Sequence, residues 1–136
     1  MAVISKELVE KYESEGKRII RIAPDWDVIW EDTEGMCHDF EEDGSIEICS
    51  EEDDNIVEFK INISGFCDWL SELHEPMIAI NIGEEVCFDF EWWNERGLEY
   101  AQQLREALPD KYVLFYEYAA EDLINRGKPA VLIEKK

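Results

Sequence analysis

Lysine and arginine are missing from residues 22–59, although this segment contains 15 aspartates and glutamates. Residues 60–95 add eight acids and one base, Lys60, whereas the two flanks together are almost neutral. The net charge of −21 therefore arises in the middle of the chain. A surface this negative repels phosphate groups, which argues against nucleic acids and anionic membranes as direct partners and favours a basic protein.

Long apolar runs, an export signal and closely spaced cysteines are also missing. No apolar run approaches the roughly 20 residues that span a bilayer, and the polar, helix-like N-terminus has no apolar signal region. We therefore expect a cytoplasmic protein. Cys37, Cys49, Cys67 and Cys87 follow one another at intervals of 12 to 20 positions. In a chain without an export signal, this spacing predicts four reduced, mostly buried thiols.

Catalytic and metal-binding signatures are absent as well. The chain has no G-x-S-x-G, Walker or G-x-G-x-x-G motif. Zinc sites usually place two ligands two to four residues apart, whereas Cys67 and His74 are seven apart and the side chains of Cys37, His38 and Asp39 would alternate across a strand. The sequence thus predicts no cofactor, no metal site and no enzymatic activity, although a triad built from distant residues would leave no motif.

One pair of carboxylates does fit a catalytic geometry. Asp89 and Glu91 alternate with aromatic residues in the predicted strand Val86–Trp93. They would project from one face about 7 Å apart, which is within the range that paired-carboxylate glycosidases use. A small hydrolase is therefore an open alternative. The competing interpretation is an ordinary wet strand face in a chain with 34 acids.

Apolar residues are plentiful in the acidic segment, which separates it from disordered acidic regions. They alternate with the acids at strand-like spacing, and they comprise Trp26, Val28, Ile29, Trp30, Phe40, Ile46, Ile48, Ile56, Val57, Phe59, Ile61 and Ile63. Alternation of this kind predicts a folded sheet with one apolar face and one strongly negative face.

The order of predicted elements indicates an α+β fold, with a single domain over residues 1–136, a largely antiparallel sheet and two to three packed helices. The predicted helices begin at the capping residues Ser5, Ser64 and Asn94, and a helical turn follows at Ala120–Arg126. The predicted strands are Lys17–Ala23, Asp25–Asp32, Met36–Phe40, Ser45–Ser50, Ile56–Ile63, Met77–Ile82, Val86–Trp93, Tyr112–Tyr118 and Pro129–Glu134. Two hairpins are expected, one around Glu42-Asp43-Gly44 and one through Gly83-Glu84-Glu85.

The tryptophans add a possible source of binding energy. All five lie in the acidic middle of the chain. Trp92 and Trp93 would face opposite sides of a strand, so one of them should lie outside the core. We assign Trp93 as an anchor for a basic partner, because buried rings supply affinity while charge supplies association rate. The alternative is that all five tryptophans belong to the core.

The acidic, aromatic-rich stretches resemble the small immunity proteins that bacteria make against their own toxins. The likeness is carried by Asp25–Glu34, Asp39–Asp43, Glu51–Asp54 and Glu84–Trp93. This resemblance implies a compact α/β or α+β inhibitor that neutralises a basic, nuclease-like toxin by covering its active site or substrate groove. It implies a bacterial, cytoplasmic protein, and we expect a monomer or a homodimer.

We predict a partner-binding surface built from carboxylates and one tryptophan. Its residues are Asp27, Glu31, Asp39, Glu41, Glu42, Asp43, Glu47, Asp89, Glu91 and Trp93. Besides the hydrolase, two alternatives stay open. One is a nucleic-acid mimic or accessory protein that binds a basic DNA-binding partner, and the other is a scaffold whose acidity serves only solubility.

Overall fold

The computed structural model describes residues 4–23, 28–31, 36–39, 45–49 and 56–136. Its helices are α1 (Lys6–Ser14), α2 (Phe66–Ser71), α3 (His74–Asn81) and α4 (Phe90–Ala107). Its strands are β1 (Arg18–Ala23), β2 (Val28–Glu31), β3 (Met36–Asp39), β4 (Ser45–Cys49), β5 (Val57–Asn62), β6 (Tyr112–Tyr116) and β7 (Val131–Ile133).

A five-stranded sheet, in the order β3-β2-β1-β6-β7, forms the centre of the fold. Only the β1–β6 pair is parallel, and the other three pairs are antiparallel. Strands β4 and β5 form a separate antiparallel ribbon. The predicted α+β class with a largely antiparallel sheet is confirmed.

Strand β1 is buried on both faces because its side chains alternate between two cores. Ile20 and Ile22 join the larger core, together with residues of β4, α2 and α4. Ile19 joins a smaller core with Val113 and Phe115 of β6, against which Val9 and Tyr12 of α1 pack. Helix α1 therefore covers one face of the sheet, and α4 lies on the opposite face.

The hairpin predicted between Met36–Phe40 and Ser45–Ser50 is wrong. Strand β3 pairs with β2, and β4 pairs with β5 instead. The reason lies in the core, because Ile46 and Ile48 of β4 are fully buried in the larger cluster. A ribbon with β5 places both side chains there. The Glu42-Asp43-Gly44 turn lies outside the described residues.

The second predicted hairpin, Met77–Ile82 with Val86–Trp93, is also wrong. Residues 74–81 form α3, residues 84–89 have no regular structure, and α4 begins at Phe90. The cap is Asp89 and not Asn94, since the Asp89 carboxylate accepts a hydrogen bond from the Trp92 backbone N–H at 3.0 Å. Short apolar runs fit a strand and a buried helix equally well, and here capping favours the helix.

Candidate functional site: an acidic groove

A groove of about 1010 Å³ opens between the segment 84–89, the first half of α4 and the loop 118–125. Gly83 precedes the segment 84–89, and its left-handed backbone (φ 88°) ends α3. The N–H groups of Gly83 and Glu84 donate to the carbonyls of Ile80 and Ala79, which satisfies the end of the helix. The chain can then run as an irregular segment to the cap at Asp89.

The walls of this groove, called the acidic groove below, are rich in carboxylates. Its described lining residues include no lysine or arginine. The acids among them are Glu84, Glu85, Asp89, Glu91, Glu95, Glu121 and Asp122. Charges of one sign around a concavity focus the electrostatic field and raise the local concentration of the opposite charge. The groove is therefore suited to a cationic ligand.

A buried carboxylate at the base of the loop is held by neutral donors. Asp122 is 1% exposed and accepts hydrogen bonds from the side-chain amides of Asn94 (2.8 Å) and Asn125 (2.9 Å). The backbone N–H groups of Ile124 and Asn125 also donate to it, each at 3.2 Å. The Tyr116 hydroxyl donates to Asn94 Oδ1 at 2.8 Å. The four hydrogen bonds described for the Asp122 side chain are all donated to it, two to each carboxylate oxygen.

The same network shapes the loop that forms one wall. The N–H of Asp122 donates to Ala119, and the N–H of Arg126 donates to the Asp122 carbonyl. The resulting turn leaves Leu123 and Ile124 71% and 84% exposed, and both line the groove. Because these two side chains are adjacent and lie beside the other apolar lining residues, they form part of a contiguous apolar patch, which is the kind of surface that binds partners.

The far wall supplies further apolar surface. Phe88 and Phe90 lie edge to face with centroids 4.8 Å apart, and both are only half-buried. Val86, Leu98 and Ile80 complete this side of the groove. The site thus combines apolar side chains with carboxylates, and it is not a purely polar cleft.

Two of the predicted interface residues lie in the groove, but not in the predicted geometry. Asp89 caps α4, and Glu91 lies in the first helical turn. The pairing of both carboxylates on one strand face is therefore wrong, because the residues stand at a helix start and not in a strand. Glu47 is elsewhere, on β4, where its carboxylate lies 3.9 Å from Lys60 Nζ.

The other predicted acids are only partly described. Glu31 lies on β2 opposite Ile20 and Met36, and Asp39 lies on β3 opposite Val28. The remaining predicted acids fall outside the described residues, and they are Asp27, Glu41, Glu42 and Asp43. The negative sheet face predicted from these residues stays a prediction.

The assignment of Trp93 to the surface is wrong. Trp93 is 0% exposed and stacks on Trp69, with ring centroids 4.1 Å apart and planes at 15°. Each indole N–H donates to the other residue's backbone carbonyl, at 2.9 and 3.1 Å. Trp92 is 51% exposed instead, with the Arg96 guanidinium 4.5 Å from its ring centre. One of the two tryptophans does lie outside the core, but helical geometry selects the other one.

The described cysteines also differ from expectation. Cys87 is exposed and Cys67 is half-buried, so the prediction of mostly buried thiols is wrong for this pair. Cys49 and Cys37 have no described side chains. Within the described ranges, no group of three or more His, Cys, Asp or Glu side chains is placed to hold a metal ion.

Sequence reasoning missed the loop that completes the groove. Residues 120–126 were predicted as a helical turn, and turns do occupy this stretch. The available signal was the apolar pair Leu123-Ile124 between Asp122 and Asn125, since Asp and Asn stabilise turns with their side chains. Apolar residues inside such a turn are candidates for exposure.

Comparison with protein-family models, curated proteins and solved structures finds no match to this chain. None of the helices in the described residues is both long and apolar enough to cross a membrane.

The neutral Tyr116 phenol next to Asp122 gives a testable pH dependence. Burial raises the pKa of Tyr116 well above its ordinary value, and the nearby Tyr118 and Asp122 act in the same direction. Because the folded pKa is the higher one, the contribution of Tyr116 is complete below about pH 10, the unfolded value. It is lost as pH rises further, since the unfolded chain ionises first. The expected loss is about 1.4 kcal/mol per pH unit.

Urea unfolding of the parent and of Tyr116→Phe between pH 8 and 11.5 checks this. At pH 8 the variant should be about 1 kcal/mol less stable, because the hydrogen bond to Asn94 is gone. Above pH 10 the parent should lose stability faster than the variant. Parallel curves for the two proteins would contradict the buried, neutral phenol.

Proposed function

We propose that this chain is an acidic inhibitory binding module, an immunity protein that neutralises a basic, nuclease-like toxin by covering its active site or substrate groove. The observation that carries the proposal is the acidic groove, a partly apolar concavity whose lining, among the residues that the structure describes, has seven carboxylates and no lysine or arginine. A toxin domain that acts on nucleic acid needs positive surface at its substrate site. The acidic groove offers the complementary charge.

The mechanism follows from the two kinds of side chain in the groove. Carboxylates draw a cationic partner in and can raise association rates by about 10 to 10³-fold. Charge at a rim contributes mainly to rate and orientation. Apolar side chains that lose water in the complex supply the slow dissociation that an inhibitor needs.

The structure favours none of the alternatives over this proposal. The hydrolase loses its supporting geometry, because Asp89 is engaged as the cap of α4 and the strand pairing with Glu91 does not exist. The acidic groove would also serve a basic DNA-binding partner, and binding without inhibition in the experiment below would favour that alternative.

The test is inhibition of the product of the adjacent gene, which this proposal expects to be a basic protein. We expect near-stoichiometric inhibition of its activity and an association rate that falls steeply between 10 and 300 mM salt. Over that range the Debye length shrinks from about 30 Å to under about 8 Å. Stopped-flow fluorescence measures the rates, and a neutral protein of similar size is the control. Absence of binding, or binding without inhibition, would contradict the immunity function.

A further inference from the structure

The exposed residues Leu123 and Ile124 favour an apolar ligand, whereas the carboxylates of the acidic groove favour a cationic one. A purely cationic ligand would leave the most exposed apolar side chains of the site in water. A purely apolar ligand would remove the exposed carboxylates of Glu84, Glu85 and Glu91 from water without supplying a charged partner, which costs free energy. Only a ligand that is cationic and apolar at once satisfies both halves of the lining.

The turn that presents the pair is already ordered in the free chain. Four donors fix the Asp122 carboxylate, and two of them are the N–H groups of Ile124 and Asn125. A loop held in this way loses little conformational entropy on binding, which favours affinity. Leu123 and Ile124 are thus placed to act as contact residues and do not require a folding step.

A second copy of this chain does not fit the groove. Each copy carries a net charge of −21, so approach of one acidic concavity to another acidic surface is repulsive. Arg126 and Lys128 follow the loop but are not among the described lining residues. Charge complementarity therefore points to a different chain.

We propose that the acidic groove docks a cationic amphipathic segment of the partner, with large apolar side chains against Leu123, Ile124 and the Phe88–Phe90 wall and with Lys or Arg on either side of them. This inference rests on the proposed function and specifies which surface binds and what it recognises. Apolar contact at Leu123 and Ile124 governs dissociation, and the surrounding carboxylates, Glu84 and Glu85 among them, govern encounter.

A synthetic peptide pair tests the recognition chemistry. The first is an 18-residue peptide of Leu and Lys with Leu at helical spacing, and the second replaces every Leu by Ser at the same charge. We expect the Leu/Lys peptide to bind at least about tenfold more tightly, which corresponds to burial of one large apolar side chain. Amide NMR shifts should map the contact to residues 118–125.

Two matched variants locate the site. Leu123→Ser/Ile124→Ser should weaken the Leu/Lys peptide at least about tenfold, and because both side chains are exposed the fold should persist. Glu84→Gln/Glu85→Gln should slow association severalfold at low salt. The control, Glu7→Gln/Glu13→Gln, removes the same charge from α1 on the opposite face of the sheet, and it should bind almost like the parent. Circular dichroism and melting curves verify folding of each variant.

The outcomes separate this inference from the function it rests on. The docking surface would be overturned if the groove and α1 charge variants showed equal losses of association rate. It would also be overturned if Leu123→Ser/Ile124→Ser bound the Leu/Lys peptide as tightly as the parent. Spermine that binds the groove as tightly as the Leu/Lys peptide would identify a small polycation as the occupant and would also overturn it. If the variants still inhibit the basic neighbour like the parent, the docking surface fails while the immunity function stands. If the neighbour is not bound at all, the function fails.

Discussion

Trp93→Ala is expected to lower the free energy of unfolding by about 3–5 kcal/mol, the usual cost of removing a buried large aromatic side chain. Trp93 is fully buried and stacks on Trp69. The substitution removes this stacking and the hydrogen bond that the Trp93 indole N–H donates to the Trp69 carbonyl. The acceptor of the second bond is the backbone carbonyl of residue 93, which alanine keeps. A buried carbonyl without a partner adds to the cost of the cavity.

The neighbouring Trp92 is the matched control for this measurement. Trp92→Ala removes the same side chain from the same helix, but Trp92 is half-exposed and contacts mainly the Arg96 guanidinium. Its loss should cost about 1 kcal/mol or less. Urea denaturation followed by far-UV circular dichroism gives both values. Similar stabilities for the two variants would contradict the buried tryptophan pair.

Because Trp93 lies in the core, a binding defect of a Trp93 variant has a different cause from that of a surface variant. A surface anchor, once truncated, speeds dissociation while the fold persists. A core residue, once truncated, reduces the folded fraction, so a binding defect of Trp93→Ala would report on stability. The exposed Leu123 and Ile124 are the appropriate positions for testing contacts.

Strands β1 and β6 and helix α4 could be predicted because the hydrophobic pattern of each fits only one type of secondary structure. Arg18–Ala23 and Tyr112–Tyr116 are short segments rich in apolar residues that follow turn residues, and both are buried strands. The buried stripe of α4 also follows its period, with Ala101 and Leu104 inside the core as expected. Periodicity is decisive where an element is long or bounded on both sides.

The secondary structure of residues 74–93 could not be predicted from the sequence, because two conformations fit the same pattern. Alternating aromatic and acidic residues before Trp93 suit a strand, yet Asp89 also suits a helix cap, and only tertiary packing decides between them. Here the stacking of Trp69 on Trp93 stabilises the helical conformation, since a helix turns the Trp93 side chain into the core. The predicted position of Trp93 was wrong because its secondary structure was wrong.

The site was only partly visible for a similar reason. Asp89 and Glu91 were selected from charge and spacing, and both line the acidic groove. Its other wall comes from residues 118–125, which are distant in sequence and carry no continuous acidic pattern. Leu123 and Ile124 become informative only when the turn around Asp122 shows that they are exposed.

Gly97→Ala should also destabilise the fold strongly, by about 3 kcal/mol from overpacking. A Cβ at this position would overlap Trp69 Cζ2 and would lie 2.7 and 2.8 Å from Tyr116 Oη and Cε2. These atoms belong to buried rings that cannot move aside without disturbing the stacked pair and the Asn94 network. Alanine gains about 1 kcal/mol over glycine in helix propensity, which does not offset the overlap.

A double-mutant cycle with Trp69→Phe tests the cause. The smaller ring lacks Cζ2, so it removes one of the overlaps with the new methyl group. We expect the double variant to lose less stability than the two single losses added together, because contacting residues are coupled. If the two losses of stability were strictly additive, the Trp69 ring would not be what excludes a methyl group at position 97. A Gly97→Ala protein more stable than the parent would show that helix propensity alone governs this position, and the close approach of α4 to Trp69 and Tyr116 would then be wrong.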